Sequence, residues 1–168
     1  MKKNLLSFIV LVAVMFSACA QQKKATKSKV LTTGNENSAI QFLAMERTPC
    51  FGTCPAYRLE INKDGMVKFI SWSNTEYEGT YQKKFDPAKV AALYNKFESY
   101  NVDTCAEVYE SLIQDVPGIN FYFNYKNKEQ KVINAHFGPG YFIQLALETD
   151  SFSRVDPTWT KLADKKND

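Results

Sequence analysis

The chain has a single histidine, only seven glycines, and neither a glycine-rich phosphate loop nor an internal repeat. With one histidine, a Ser-His-acid triad would have to use His136. Neither "FSR" nor "ESL" supplies the sharp strand-to-helix turn that exposes a nucleophilic serine. Net charge is nearly absent as well. The formal value is +3, and Lys2 and Lys3 account for two of those charges, so residues 19–168 carry +1. So neutral a chain lacks the basic face that offsets phosphate charge, and nucleic acid is excluded as an expected partner. Beyond residue 18 no apolar run approaches the ~20 residues of a spanning helix. No catalytic set assembles from these residues, so no cofactor is implied and a non-enzymatic role is expected.

What is present begins with an address. Lys2 and Lys3 precede "LLSFIVLVAVMF" (residues 5–16), an apolar run too short to cross a bilayer, followed by small residues and Cys19. This is the pattern of an export signal. "FSAC" resembles the bacterial lipobox, although Phe16 is an unusual first residue. The resemblance implies removal of residues 1–18 and lipidation of Cys19, with cleavage after Ala20 as the plainer alternative. Acyl chains on Cys19 would hold the protein to a membrane without a spanning segment. Residues 19–38 are polar, basic at first and almost free of large apolar side chains, which is the composition of a solvated tether. By the sorting rules of such lipoproteins, Ala20 is compatible with the outer membrane. The lack of an acidic stretch after Cys19 favours the periplasmic side.

Residues 39–168 make one domain's worth of chain, rich in Phe and Tyr interleaved with Val and Ile. "AIQFLAMER", "AYRLEI", "MVKFISW" and "EYEGTYQKKF" read as successive strands of an antiparallel meander. Asp64-Gly65 marks a hairpin between the second and third, and Gly79 marks a bend in the fourth. Alternation places Tyr57, Leu59 and Ile61 on one face, with Val67, Phe69 and Ser71 on one face of the partner strand. At "FDPAKVAALYNKFESYN" the period lengthens, and Val90, Leu93, Tyr94 and Phe97 form one apolar stripe. Asp86 is placed to cap that helix and Pro87 suits its first turn. Residues 103–117 read either as a short helix presenting Cys105, Val108, Tyr109 and Leu112, or as an irregular loop. Two strands joined at "KNKE" follow. A helix entered after Pro139 and Gly140 then packs Phe142, Leu145 and Ala146 inward, and Trp159 closes the core. The expected fold is α+β, a mostly antiparallel sheet of about six strands with two main helices packed on one face.

"ERTPCFGTCPAYRLEINKDGMVKF", with the downstream "DVPG" before a strand, resembles the domain of unknown function 6438 found in many Bacteroidota lipoproteins. The matching positions are Arg47, Cys50, Gly52, Cys54, Pro55, Tyr57, Asp64 and Gly65, within a likeness covering about residues 40–152. That family has no established activity, so the resemblance implies an architecture and an address and no mechanism.

With Cys19 committed to lipid, Cys50, Cys54 and Cys105 remain, and three bridges are possible. An oxidising compartment favours a disulfide. Gly52 lets a five-residue loop close, which favours Cys50 with Cys54. The competing reading is a copper or zinc site of Cys50, Cys54 and His136, similar to the Cys-x3-Cys-Pro and distant His of Sco-type copper chaperones. There the motif opens a helix, whereas here a strand follows. A redox pair would need a nearby cation to lower a thiol pKa, and Arg47 is the one candidate in sequence. Its plainer role is that of a sheet-edge arginine paired with Glu60 or another acid. The leading expectation is a lipid-anchored envelope module that binds a protein, a peptide or a glycan, with the sheet as its platform.

Overall fold

The computed structural model describes residues 38–110, 113 and 115–163, and Cys19 with the tether lies outside them. The domain is α+β. Among the described residues seven antiparallel strands run β1 (Ile40–Arg47), β2 (Ala56–Asn62), β3 (Met66–Ser73), β4 (Thr80–Lys84), β5 (Ile119–Tyr125), β6 (Lys128–Val132) and β7 (Thr160–Lys161), with two α-helices, α1 (Pro87–Ser99) and α2 (Tyr141–Asp150). The sheet order is β6-β5-β1-β2-β3-β4-β7, so the four-strand meander stands as expected and the second hairpin adds to its β1 edge. The strand count is seven rather than about six. The extra strand is the two-residue β7, too short to carry a period, which pairs Tyr81 with Lys161 and Gln82 with Thr160. Among the described residues no helix is long and apolar enough to cross a membrane.

Register follows alternation. Leu43, Met45 and Arg47 of β1 lie opposite Ile61, Leu59 and Tyr57 of β2, and opposite Phe123, Phe121 and Ile119 of β5. All but the two polar residues of that set, Arg47 and Tyr57, are buried. Asp86 caps α1 by accepting from Ala88 N–H (2.9 Å), Pro87 opens the first turn, and Val90, Leu93, Tyr94 and Phe97 are buried along one stripe. Phe97 of α1 and Phe142 of α2 both meet the Phe121 ring, at centroid distances of 5.1 and 6.0 Å. The Tyr94 hydroxyl donates to the Ile61 carbonyl (2.6 Å), pinning α1 to β2 by a bond no apolar residue could make. Trp159 is buried against Phe85 and its indole N–H donates to the Arg154 carbonyl (3.0 Å), so the last segment closes the core as expected.

Turn chemistry sets the hairpins. Gly65 takes φ +93°, and its carbonyl accepts from Phe85 N–H (2.9 Å), tying the hairpin tip to the entry of α1. Gly79, at φ +103°, bends the chain before β4, which therefore starts at Thr80, later than the alternation of "EYEGTYQKKF" suggests. The β5–β6 turn is tighter than "KNKE". Lys126 and Asn127 alone form it, both with positive φ, as a two-residue hairpin requires. Within residues 103–117 no α-helix forms among the described residues. Val102–Thr104 make one 3-10 turn, and Val108 then runs parallel to Ile133, with Tyr109 N–H donating to the Ile133 carbonyl (3.0 Å). The helical spacing of Cys105, Val108 and Tyr109 was a coincidence of sequence, and Leu112 lies outside the described residues.

Candidate functional site

Six of the eight motif residues, Arg47, Cys50, Gly52, Cys54, Pro55 and Tyr57, gather at one end of the sheet. Cys50 and Cys54 form a disulfide with Cα atoms 5.7 Å apart. The loop they close is braced by Gly52 N–H donating to the Cys50 carbonyl (2.8 Å) and by Asn74, whose amide donates to the carbonyls of Gly52 (3.5 Å) and Cys54 (3.4 Å). Pro55 leaves the loop and β2 begins at Ala56. The disulfide thus fixes the link between the ends of β1 and β2. Cys105 is free and half-buried, its sulfur 2.9 Å from the Tyr141 hydroxyl.

Arg47 ends β1, an interior strand, so it is not a sheet-edge residue. Its guanidinium forms a two-pronged pair with Asp150 at the end of α2, and Tyr57 donates to the same carboxylate (2.5 Å). Glu60 instead serves Arg58 (2.9 Å) and Lys68 (3.5 Å). Burial works against the Arg47 charge, but the hydrogen bonds and charge of Asp150 outweigh it and raise the pKa. Tyr57 is pushed up to about 12, first by burial and then by the hydrogen bond to Asp150. Two permanently protonated donors therefore converge on one carboxylate. That is an anchor between sheet and helix, because neither donor can give up its proton near neutral pH.

His136 sits in a 3-10 turn, Ala135–Phe137, where its Nδ1 accepts from Ile119 N–H (3.1 Å). The proton therefore belongs on Nε2, which is buried and finds no hydrogen-bond partner among the described residues. Burial, then the charge of Arg47, lowers its pKa. Cys50 and Cys54 spend their sulfurs on each other, and among the described residues no three His, Cys, Asp or Glu side chains gather as a metal site. Asp64 and Gly65 belong to the β2–β3 hairpin at the other end of β2. There Asp64 accepts from Met66 N–H (3.0 Å) and pairs with Lys84 (2.8 Å).

A second arrangement was not legible as a motif. The residues of β1, β2 and β5 that alternate with the core set are Phe42, Ala44, Glu46, Arg58, Glu60, Asn120, Tyr122 and Asn124, and they share one face. At its centre Glu46 accepts from Arg58 (2.7 Å), Tyr122 (3.0 Å) and Asn120 (3.2 Å), while the Arg58 guanidinium lies 5.0 Å from the centre of the Tyr122 ring. A groove of about 630 Å³ crosses this face toward β6, lined by Phe42, Arg58, Tyr122, Asn124, Glu129 and Lys131 among others, with Glu107 from the limb beside β6. Its aromatic rings offer stacking surfaces and its amides and charges offer directional bonds. Only the period-two alternation of "INFYFNY" and "AYRLEI" hinted at it.

A family described as a domain of unknown function (DUF6438) matches residues 41–152, and the chain belongs to that family. No curated protein and no solved structure matches the chain.

Proposed function

We propose that this protein is a lipid-anchored component of the cell envelope whose domain is a non-enzymatic binding module. Residues 1–18 are the export signal, Cys19 carries the lipid, residues 19–38 are the tether, and residues 39–168 hold the domain at the periplasmic side of the outer membrane. Both helices lie on one face of the sheet, a reading supported by Phe97 and Phe142 meeting the same Phe121 ring. The opposite face is then the platform. The observation that carries this proposal is the groove of about 630 Å³ across that face, where Phe42 and Tyr122 stand among Arg58, Asn124, Glu129 and Lys131. The range for small-molecule and cofactor pockets is about 300–1,000 Å³. Mixed aromatic and charged linings of this kind suit a glycan or an extended peptide from an envelope protein.

Nuclear magnetic resonance of the isotope-labelled protein, titrated with soluble peptidoglycan fragments and with peptides from envelope proteins, tests this reading. The expected result is saturable shifts at Tyr122, Asn124 and their neighbours for one ligand class, weakened by the exposed change Lys131→Glu. Shifts confined to other surfaces, or none with either class, would overturn it. The alternative of a thiol or copper/zinc protein would require opening the disulfide and releasing His136 from Ile119, and no observation favours it over the groove.

A further inference from the structure

A second cavity, of about 280 Å³, opens where β2 leaves the disulfide loop, and it shares no lining residue with the sheet groove. Tyr57 and Phe69 line it as a ring pair with centres 5.1 Å apart, and Pro55, Tyr77 and Val155 extend that apolar surface. Three of the lining hydroxyls are engaged within the protein: Tyr57 donates to Asp150, Ser153 to the Asp150 carbonyl (2.8 Å) and Thr75 to the Tyr77 carbonyl (3.0 Å). Two lining side chains of opposite charge are not. Glu76 and Arg154 are exposed, and neither enters an ion pair or a side-chain hydrogen bond among the described residues. The walls are set without a ligand. Asn74 ties the rim to the loop carbonyls, the Cys50–Cys54 bridge closes the loop ahead of Pro55, and Asp150 holds the Tyr57 hydroxyl together with Arg47. A site so braced has little freedom left to lose on binding.

We infer that this cavity binds a free amino acid with an aromatic side chain. Its volume is just under the ~300 Å³ lower end of small-molecule pockets, so the occupant is small. The rings of Tyr57, Phe69 and Tyr77 offer faces and edges against which an aromatic side chain packs. One cation and one anion on the wall of a single small cavity, both unpaired, complement a ligand that carries both signs a short distance apart. The planar fork of Arg154 suits an α-carboxylate, and the Glu76 carboxylate suits an α-ammonium. The carboxyl end of a peptide would use Arg154 alone, an amino end Glu76 alone, and a neutral sugar neither. The zwitterion of a free amino acid uses both, which is the basis of its selection over those competitors. Because the two sites share no residue, this one stands or falls independently of the groove.

The test titrates the isotope-labelled full chain in detergent with L-phenylalanine, read by nuclear magnetic resonance. Saturable shifts at Tyr77, Ser153 and Val155 are expected, with a dissociation constant of about 10 μM to 1 mM for so small a ligand. Phenethylamine, which lacks the carboxylate, and N-acetyl-L-phenylalanine, which lacks the ammonium, should each bind about fivefold more weakly, and glycine not measurably. Glu76→Gln and Arg154→Gln should each weaken L-phenylalanine by a similar factor and leave the melting temperature of the ligand-free protein unchanged, since both side chains are exposed. The cross terms assign the two contacts. Glu76→Gln should not alter the binding of N-acetyl-L-phenylalanine, nor Arg154→Gln that of phenethylamine, because each variant then lacks only what the ligand already lacks. No binding of phenylalanine, tyrosine or tryptophan up to about 10 mM, shifts confined to other surfaces, or indifference to either variant would each overturn the inference. N-acetyl-L-phenylalanine binding as tightly as L-phenylalanine would overturn it as well, and would reassign the cavity to the carboxyl end of a peptide.

Discussion

Asp150 holds together the polar end of an otherwise apolar core. It accepts from Arg47 and Tyr57, both partly withdrawn from water, so removing its carboxylate strands a charge and a hydroxyl at once. Asp150→Ala is expected to destabilise by about 2 kcal/mol, below the 3–5 of a fully buried pair because both side chains keep some water contact. Arg47→Met with Asp150→Leu should cost less than Asp150→Ala alone, since it leaves neither a carboxylate nor a guanidinium behind. Urea unfolding of the two variants beside the unaltered protein measures both. His136 supplies a pH dependence of definite sign. Its pKa is lowered in the folded state by burial and by Arg47, so the unfolded chain binds the proton more readily. Stability from this group is complete above the unfolded value of about 6.5, and falls as pH drops from there toward the folded value. Thermal melts between about pH 7.5 and 5.5 should show that loss, and His136→Gln should flatten it. At this scale the sequence exposed Arg47, Tyr57 and the cysteines through their spacing. Asp150 was invisible because it lies 103 residues from the arginine it meets, and no local pattern carries so distant a pair.

Among the elements, the β2–β3 hairpin was the most legible and is among the least tolerant. Gly65 has φ +93°, and a Cβ there would stand 2.4 Å from the Phe85 carbonyl oxygen. Gly65→Ala therefore meets both backbone strain and a clash with main chain that cannot swing away. A loss of about 2–3 kcal/mol in urea unfolding is expected. The disulfide loop should behave oppositely. A ring of five residues constrains the unfolded chain only slightly, so Cys50→Ser with Cys54→Ser should cost about 2 kcal/mol at most and leave the domain folded. Collapse of the fold in that variant would show that the loop does more than join two strands. The β5–β6 turn and the limb at 102–109 were harder to read, for separate reasons. Lys126 and Asn127 take positive φ without the glycine that usually announces it. Val108 follows a partner, Ile133, that only the assembled sheet brings alongside.

At the scale of the molecule, strand order was only partly written in the chain. The meander came from short turns, whereas the placement of β5 and β6 outside β1 depends on Phe121 and Phe123 meeting the same core as Met45 and Leu43. The groove needs β1, β2, β5 and β6 side by side, so it could not be inferred before that order was known. The proposal that a lipid on Cys19 anchors the domain rests instead on the first residues, and the physics of anchoring makes it testable. One acyl chain binds a membrane marginally and reversibly, whereas two or more bind it firmly. A processed, acylated Cys19 should therefore keep the protein in the membrane fraction through salt and alkaline washes, with an N-terminal peptide heavier by its lipid. Replacing residues 1–19 with an export signal lacking the cysteine should release the same domain into the soluble fraction. Under that proposal the polar residues between Cys19 and Ser38 would reach at most about 65 Å if fully extended, enough to stand a small domain clear of the headgroups. If the domain faces the periplasm, protease added to intact cells should leave it whole and should digest it only once the outer membrane is permeabilised. Digestion in intact cells would place it on the outer surface, where its groove would meet a different set of ligands.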